Sequence, residues 1–307
     1  MTIAIVAPTP PFGAAYNIRD ALNATLICDK LDGWREWQAD VLLDSARGIN
    51  QARKVIRAAS HVLIITTWGL KTWAKIGIEH ERKVLFLVET RIDHEPSVCL
   101  SEIRRSGIEH LFHLPNLTPY MPDHSVAMLQ PVAVPETCPE KALDGPTVIL
   151  HTPGTLKKRV QKGSDAIRRV VDDLSAIYPI AYTELLHVSH ADTLRARAGA
   201  HICIDQVPPP GYPRGLGLSG EESLAHGCAT VSTLYPQGYA PHYPWPPVYD
   251  VTDEATLKER LAMLLDQPRE RLIRRGREAH AWAANYLAPE FWASFYWAHL
   301  PGAWAIC

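Results

Sequence analysis

The sequence predicts an α/β protein that contains two parallel sheets, each with helices on both of its faces. Three observations support this prediction. Short apolar segments of β type alternate with helical patterns along most of the chain. These segments are apolar throughout, as strands buried on both faces are. The pattern is interrupted once, by proline-rich residues 114–146, and a chain of 307 residues is long enough for about two domains.

The first series of elements predicts one domain over residues 1–135. Apolar segments predict strands at residues 3–7, 41–43, 61–66, 84–88 and 110–112. Helical patterns between them predict helices at roughly 14–24, 47–59, 70–80 and 97–106. This alternation of strand and helix is typical of βαβ units, in which each helix connects two parallel strands.

A second series follows the proline-rich stretch and predicts a domain over residues 147–288, after a linker at 136–146. Strands are predicted at 147–150, 200–204 and 228–232, and helices at 164–178, 219–226, 254–266 and 269–286. The helix at 164–178 places its apolar side chains on one stripe. The chain ends in an aromatic segment, 289–307.

Composition excludes several classes of protein. Lys and Arg number 31 against 33 Asp and Glu, a formal net charge of −2, so no strong attraction to nucleic acid or an anionic membrane is expected. The six cysteines form no C-x-x-C pair, which argues against a zinc site and predicts a reducing, cytoplasmic location. The N-terminal apolar run is too short for a signal peptide, and no run is long enough to span a membrane.

A basic segment follows the first strand of the second series. Its four cations, which precede a predicted helix, are Lys157, Lys158, Arg159 and Lys162. Because a helix N-terminus offers free N–H groups and a positive dipole end, this segment is a candidate for binding a diphosphate. The alternative is a solvated basic loop, and the pattern alone favours neither.

A glycine-rich segment, residues 215–222, leads into another predicted helix. Its glycines allow a ligand to approach the backbone closely. Glu222 is a candidate for accepting two hydrogen bonds from a ribose diol. The alternative is structural, because Ser219 and Glu222 have the spacing of a capping box in which the glutamate only bonds to its own helix start.

These segments resemble the nucleotide-sugar domain of retaining glycosyltransferases of the GT-B fold, family 4. Three features carry the resemblance over residues 147–235: an H-x-P-type turn followed by Lys162-Gly163, the strand AGAHICIDQV, and GLSGEESLAHGCATV. The resemblance implies two Rossmann-like domains that face a cleft, with the acceptor side in the first. It also implies that residues 289–307 form a helix that packs back on the N-terminal domain.

The resemblance implies a role for each matching residue. Glu222 matches the glutamate that binds the donor ribose, and Lys162 matches the phosphate-binding lysine. The lysine's usual arginine partner has Lys157 as its nearest match, with Lys158 and Arg159 as alternatives. His94 matches the catalytic histidine that faces the sugar. The turn whose N–H groups meet the diphosphate matches Gly217, Leu218, Ser219 and Gly220.

The sequence also departs from the family pattern. Many members carry a second glutamate near the sugar, where this chain has Arg214; Asp205 and Gln206 are nearby substitutes for that acid. The glycine-rich turn after the first strand is replaced by residues 8–13, where only Gly13 remains, so acceptor contacts there are in doubt.

The function expected from the resemblance is retaining, metal-independent transfer of a sugar from a UDP- or GDP-sugar to an acceptor hydroxyl. No cofactor and no metal are expected, and the sequence has no Asp-x-Asp motif. The alternatives are a sugar-nucleotide 2-epimerase of GT-B fold and a degenerate, non-catalytic binding module. The acceptor stays open between a glycan, a lipid, a small molecule and the hydroxymethylated bases of phage DNA, although the net charge argues against DNA.

Overall fold

The chain forms two α/β units in the computed structural model, which describes residues 2–8, 14–29, 39–88, 95–108, 110–210, 212, 214–239 and 242–300. Contacts within the chain assign residues 1–131 and 289–307 to unit 1 and residues 132–288 to unit 2. None of the described helices is both long enough and apolar enough to cross a membrane.

Unit 1 contains a parallel sheet in the order β3-β2-β1-β4-β5-β6-β7. The strands are β1 (Ile3–Ala7), β2 (Thr25–Cys28), β3 (Val41–Leu42), β4 (His61–Ile65), β5 (Lys83–Leu87), β6 (His110–His113) and β7 (Val126–Ala127). The connecting helices are α1 (Ala14–Leu22), α2 (Ala46–Ala58), α3 (Thr66–Ile76) and α4 (Pro96–Arg105), and a short 3-10 helix covers Pro115–Tyr120. The apolar side chains of the central strands are buried and form one core.

The C-terminal helix, Pro289–Ala298, also belongs to unit 1. Trp292 and Tyr296 are fully buried and stack on each other, with ring centroids 5.5 Å apart. The indole Nε1 of Trp292 donates a hydrogen bond of 2.7 Å to the carbonyl of Leu129, and the Tyr296 ring lies 5.3 Å from that of Phe112. These contacts bury the aromatic face of the helix in the core of unit 1.

Unit 2 contains a parallel sheet in the order β12-β11-β10-β8-β9. Its strands are β8 (Thr147–Gly154), β9 (Ile180–Leu186), β10 (Ile202–Ile204), β11 (Ala229–Ser232) and β12 (Val248–Asp250). Its helices are α5 (Leu156–Gln161), α6 (Ser164–Ser175), α7 (His190–Gly199), α8 (Leu218–Ala225), α9 (Glu254–Leu265) and α10 (Arg269–Tyr286).

The segment at 136–146, predicted as a linker, is bound to unit 2. The ammonium group of Lys141 donates to the carbonyls of Arg197, Ala198 and His226 at 2.7–2.9 Å. Because these carbonyls lie at the ends of α7 and α8, the lysine neutralises the negative end of both helix dipoles.

The sequence analysis did not predict several elements: strands β2, β7, β9 and β12, and helices α5 and α7. Helix α1 ends at Leu22 instead of residue 24, because Asn23 adopts a positive φ of 48° and stops the helix before β2. Helix α3 begins at Thr66, four residues before its predicted start. Helix α7 lacks an apolar stripe, and its buried side chain is an arginine, so hydrophobic periodicity gave no signal.

Candidate functional site

The two segments selected from the sequence follow neighbouring strands of unit 2. The basic segment follows β8 and forms α5, and the glycine-rich segment follows β10 and forms the start of α8. Since β8 and β10 are adjacent and parallel, their carboxyl ends meet at one edge of the sheet. Ligands of parallel α/β sheets bind at this edge.

Asp205 connects the two segments. Its Oδ1 accepts a hydrogen bond of 2.7 Å from the Nζ of Lys162, and its Oδ2 accepts one of 3.0 Å from the backbone N–H of Gly217. The hydroxyl of Ser232 donates a third, at 3.1 Å, to Oδ2. One carboxylate therefore holds the lysine of the first segment beside the helix start of the second.

The charge of Asp205 is stabilised by these partners. The carboxylate is fully buried, and burial alone would raise its pKa. The charge of Lys162 and the hydrogen bonds from Lys162, Gly217 and Ser232 outweigh burial and lower the pKa below its ordinary value. Asp205 is therefore ionised at neutral pH and forms an ion pair with Lys162.

Two glycines allow this arrangement. Gly163 has a φ of +69°, and a Cβ added to it would lie 1.9 Å from the carbonyl oxygen of Val207. A Cβ on Gly220 would lie 2.3 Å from a methyl group of Leu216 and 3.0 Å from Asp205 Oδ2. Position 163 therefore requires glycine, because an added Cβ would meet backbone atoms and φ is positive, whereas at position 220 the end of the Leu216 side chain would have to move.

The remaining lysines of α5 add positive charge beside this ion pair. Lys157 is exposed, whereas Lys158 is half-buried. Burial is the largest cause of the lowered pKa of Lys158, followed by the charges of Lys162 and Lys157. The charges of Lys157 and Lys162 therefore act on Lys158, and a perturbed pKa of this kind is a feature of many functional sites.

Arg159, an alternative match to the arginine that binds the phosphate, is directed towards the edge strand β9. Its Nε donates to Glu184 on β9 at 2.7 Å, and its Nη1 forms an ion pair with Asp165. Arg168 also donates to Glu184. Arg159 therefore takes part in an ion-pair network over the edge strand, and its charge is already balanced.

Glu222 points into unit 2 and is almost fully buried. Its Oε2 lies 2.7 Å from the Nη1 of Arg197 and forms an ion pair with it, although the two groups are not aligned for a hydrogen bond. Its Oε1 accepts a hydrogen bond of 2.6 Å from the Nε2 of His190. Burial acts to raise the pKa of Glu222, but Arg197 and then His190 lower it overall. The N-cap of α8 is Gly217 and no side chain caps the helix, so the capping-box alternative for Ser219 and Glu222 is wrong.

Three other candidates remain: Arg214, Gln206 and His94. The side chain of Arg214 is exposed, and its Nη2 lies 3.5 Å from the carbonyl of Thr252. Gln206 uses its amide to donate to the carbonyl of Gly215. His94 lies outside the described residues.

The sequence analysis missed Arg197, which is the centre of a polar network. Its Nη2 donates to the hydroxyls of Thr152 at 2.9 Å and Ser219 at 3.0 Å, and its Nε donates to that of Ser223 at 3.3 Å. No sequence signal distinguished this arginine from the others of α7. The turn predicted to meet a diphosphate is thereby fixed, through Ser219, to the end of β8 at Thr152.

Comparison with known proteins gives a match at the level of structure alone. No family model matches the sequence, and neither does any curated protein. HepE from Anabaena, solved with UDP and glucose, superposes with a TM-score of 0.68 over 98% of this chain and 99% of its own, at 9% identity. This chain has the GT-B fold.

Two further solved structures are similar. An alpha-glucosyltransferase solved with UDP and a 13-mer DNA has a TM-score of 0.62 at 12% identity, covering 97% of this chain and 99% of its own. A Listeria monocytogenes protein provisionally assigned as a UDP-N-acetylglucosamine 2-epimerase has a TM-score of 0.50 at 14% identity, covering 95% of this chain and 93% of its own. At these identities the similarity establishes the GT-B fold.

Proposed function

We propose that this GT-B protein is a glycosyltransferase that moves a sugar from a nucleoside-diphosphate sugar to an acceptor hydroxyl. The observation that carries the proposal is the joining of Lys162 to the start of α8 through Asp205. A cation and a helix N-terminus at the carboxyl ends of parallel strands form a suitable receptor for a diphosphate. HepE, with the same fold, was solved with UDP-glucose.

The charges at this position match a diphosphate. Lys157, Lys158 and Lys162 carry three positive charges, and Asp205 carries one negative charge, which leaves two positive charges for a ligand. Helix geometry also leaves the N–H groups of Leu218 and Ser219 without acceptors inside α8. These N–H groups and lysines would stabilise the negative charge that develops on the β-phosphate as the sugar departs.

Lys162 is proposed to act mainly on the leaving group. Its ammonium group is held by Asp205, its side chain is 15% exposed, and the proposal places the diphosphate against this exposed part. Because the β-phosphate gains charge in the transition state, this contact strengthens as the bond to the sugar breaks. Lys157 and Lys158 are proposed to bind the phosphates both in the ground state and in the transition state.

The direct test compares Lys162→Ala with a matched control. UDP-, GDP- and ADP-sugars are first screened by thermal shift to find the donor. Lys162→Ala should then lower turnover by about 10²-fold, with a smaller effect on donor affinity. Lys258→Ala is the control, since this exposed lysine of the same unit pairs with Asp173 on the surface. Equal kinetics for the two variants would mean that the basic segment is only solvated.

Retention of configuration and independence from metals are finer parts of the proposal. The acceptor hydroxyl is proposed to attack from the face on which the diphosphate leaves, so that the anomeric configuration is kept. NMR of the first product formed gives its configuration directly. Activity that is abolished by a chelator and restored by Mg²⁺ or Mn²⁺ would contradict the metal-independent mechanism.

A 2-epimerase is the second candidate, favoured by the structural similarity to the Listeria protein. The two activities differ in their need for an acceptor. An epimerase converts UDP-N-acetylglucosamine with no acceptor present, whereas a transferase consumes donor only when an acceptor is added. The acceptor panel should contain glycans, lipids and small alcohols, and also hydroxymethylated DNA, because one similar structure was solved with DNA.

A further inference from the structure

The guanidinium group of Arg197 is buried at the point where three segments of the candidate site meet. The side chain is only 2% exposed, so it is inaccessible to a ligand. Its Nη1 lies beside Glu222, and its Nη2 bonds to Thr152 and Ser219. The same residue thus contacts the end of β8, the glycine-rich turn and the carboxylate proposed for the ribose.

The two oxygens of Glu222 have different surroundings. Oε2 is directed towards buried Arg197, whereas Oε1 bonds to His190, whose side chain is 31% exposed. The Oε1 side is therefore the side that we assign to a ribose diol. The guanidinium group is held by its bonds to Thr152, Ser219 and Ser223, so its charge lies at a fixed point beside Oε2 of the carboxylate.

We propose that Arg197 is a positioning residue that orients Glu222 towards the donor ribose. The inference rests on the proposed function of the site. Arg197 is buried and contacts Glu222, so its proposed effect on donor binding passes through that carboxylate. The lost contact in an Arg197 variant is therefore the contact to the ribose hydroxyls.

A purely structural role makes a different prediction. A buried ion pair contributes little net stability, and removal of one partner perturbs the whole site. In that case all nucleotides would bind less well by the same factor. A positioning role instead affects only nucleotides that carry ribose hydroxyls. The ratio of the affinity for a ribose nucleotide to that for its dideoxy form therefore separates the two roles.

The experiment measures binding of UDP and GDP, and of their 2′,3′-dideoxy forms, by calorimetry. Arg197→Lys keeps the charge but loses the planar fork. We expect this variant to bind the ribose nucleotide roughly five- to tenfold more weakly, which is within the range of interaction energies between residues of one polar network. Its affinity for the dideoxy nucleotide should be unchanged. In an Arg197→Lys/Glu222→Ala double variant, the arginine change should have no further effect.

Two controls keep the test decisive. Arg168→Lys alters a half-exposed arginine that contacts Glu184 and Tyr182, and it should leave both affinities unchanged. Should Arg197→Lys fail to fold, Thr152→Val removes one acceptor of Arg197 at nearly constant shape. It should produce a smaller ribose-specific loss of about twofold, near the lower limit of such couplings.

Three results would overturn the inference. An equal loss for ribose and dideoxy nucleotides would show a structural role, and no loss for either would show that Arg197 has no role in binding. If wild-type protein binds neither kind of nucleotide while remaining folded, the proposed function itself fails, and this inference fails with it.

Discussion

Acidification should destabilise unit 2 through His151. This residue lies in β8 and is fully buried. Its Nδ1 donates to the carbonyl of Ile204 at 2.8 Å, and its Nε2 accepts from the hydroxyl of Ser164 at 2.7 Å. Both bonds are satisfied by the neutral ring. Burial is the main cause that lowers the pKa of His151 to about 4, and the charge of Lys162 adds to it.

The sign and magnitude follow from linkage. In the unfolded chain the pKa of the same histidine is about 6.5, so the unfolded state binds the proton first as the pH falls. The full stability is therefore present above the pKa of the unfolded state and decreases as the pH falls below that pKa. The loss levels off below the pKa of the folded state, which is about 4. Between pH 7 and pH 5 the loss from His151 amounts to about 2 kcal/mol.

Urea unfolding of wild-type protein and of His151→Gln, at pH 7 and pH 5, isolates this effect. A glutamine keeps an amide donor and a carbonyl acceptor but takes up no proton. Other buried histidines contribute equally to both proteins and cancel in the comparison. The free energy of unfolding should fall by about 2 kcal/mol more for wild type than for the variant over this pH interval. If both proteins lose the same stability, His151 is not the titrating group and the reasoning is refuted.

Three further predictions concern other parts of the chain. Gly163→Ala should destabilise unit 2 in urea unfolding by more than about 2 kcal/mol, because the added Cβ meets the Val207 carbonyl and φ is positive. Between pH 7 and 9.5, diphosphate affinity should fall in the wild-type protein, because Lys158 has a lowered pKa and loses its charge. Lys158→Arg should keep its affinity over the same interval, since arginine stays charged. Identical dependence of affinity on pH in the two proteins would exclude a phosphate role for Lys158. Trp292→Ala should destabilise unit 1 by about 3–5 kcal/mol, with faster hydrogen exchange in β5 and β6; unaltered exchange there would contradict the packing of the C-terminal helix.

Hydrophobic patterning predicted the central strands because they are buried on both faces. Strands β1, β4 and β5 were placed to within a residue or two, since continuous apolar runs identify them directly. Strand β9 was missed because it lies at the edge of its sheet and its side chains are only half-buried. Helix α5 was missed because no residue in its six-residue span is buried, so the span shows no apolar face.

The candidate site was predicted unevenly for a similar reason. A strand–turn–helix pattern with glycines selected Lys162 and Glu222, and both lie at the carboxyl edge of the second sheet. The pattern could not tell which cations are already paired, so Arg159 was considered beside the lysines although Glu184 and Asp165 bind it. Arg197 could not be found because a buried arginine on an otherwise polar helix looks like a surface residue in sequence.

Two of the buried carboxylates of unit 2, Asp205 and Glu222, support different roles for the cations beside them. Asp205 and Glu222 are each almost completely removed from water, and each has a cation as its partner. Apolar residues at such positions are often at least as stabilising as a buried ion pair, so stability alone is a weak reason for either pair. The two cations differ in their exposure to solvent, since the side chain of Lys162 is partly exposed and that of Arg197 is buried. Lys162 is therefore the cation proposed to contact the ligand, whereas Arg197 is proposed to influence it only through Glu222.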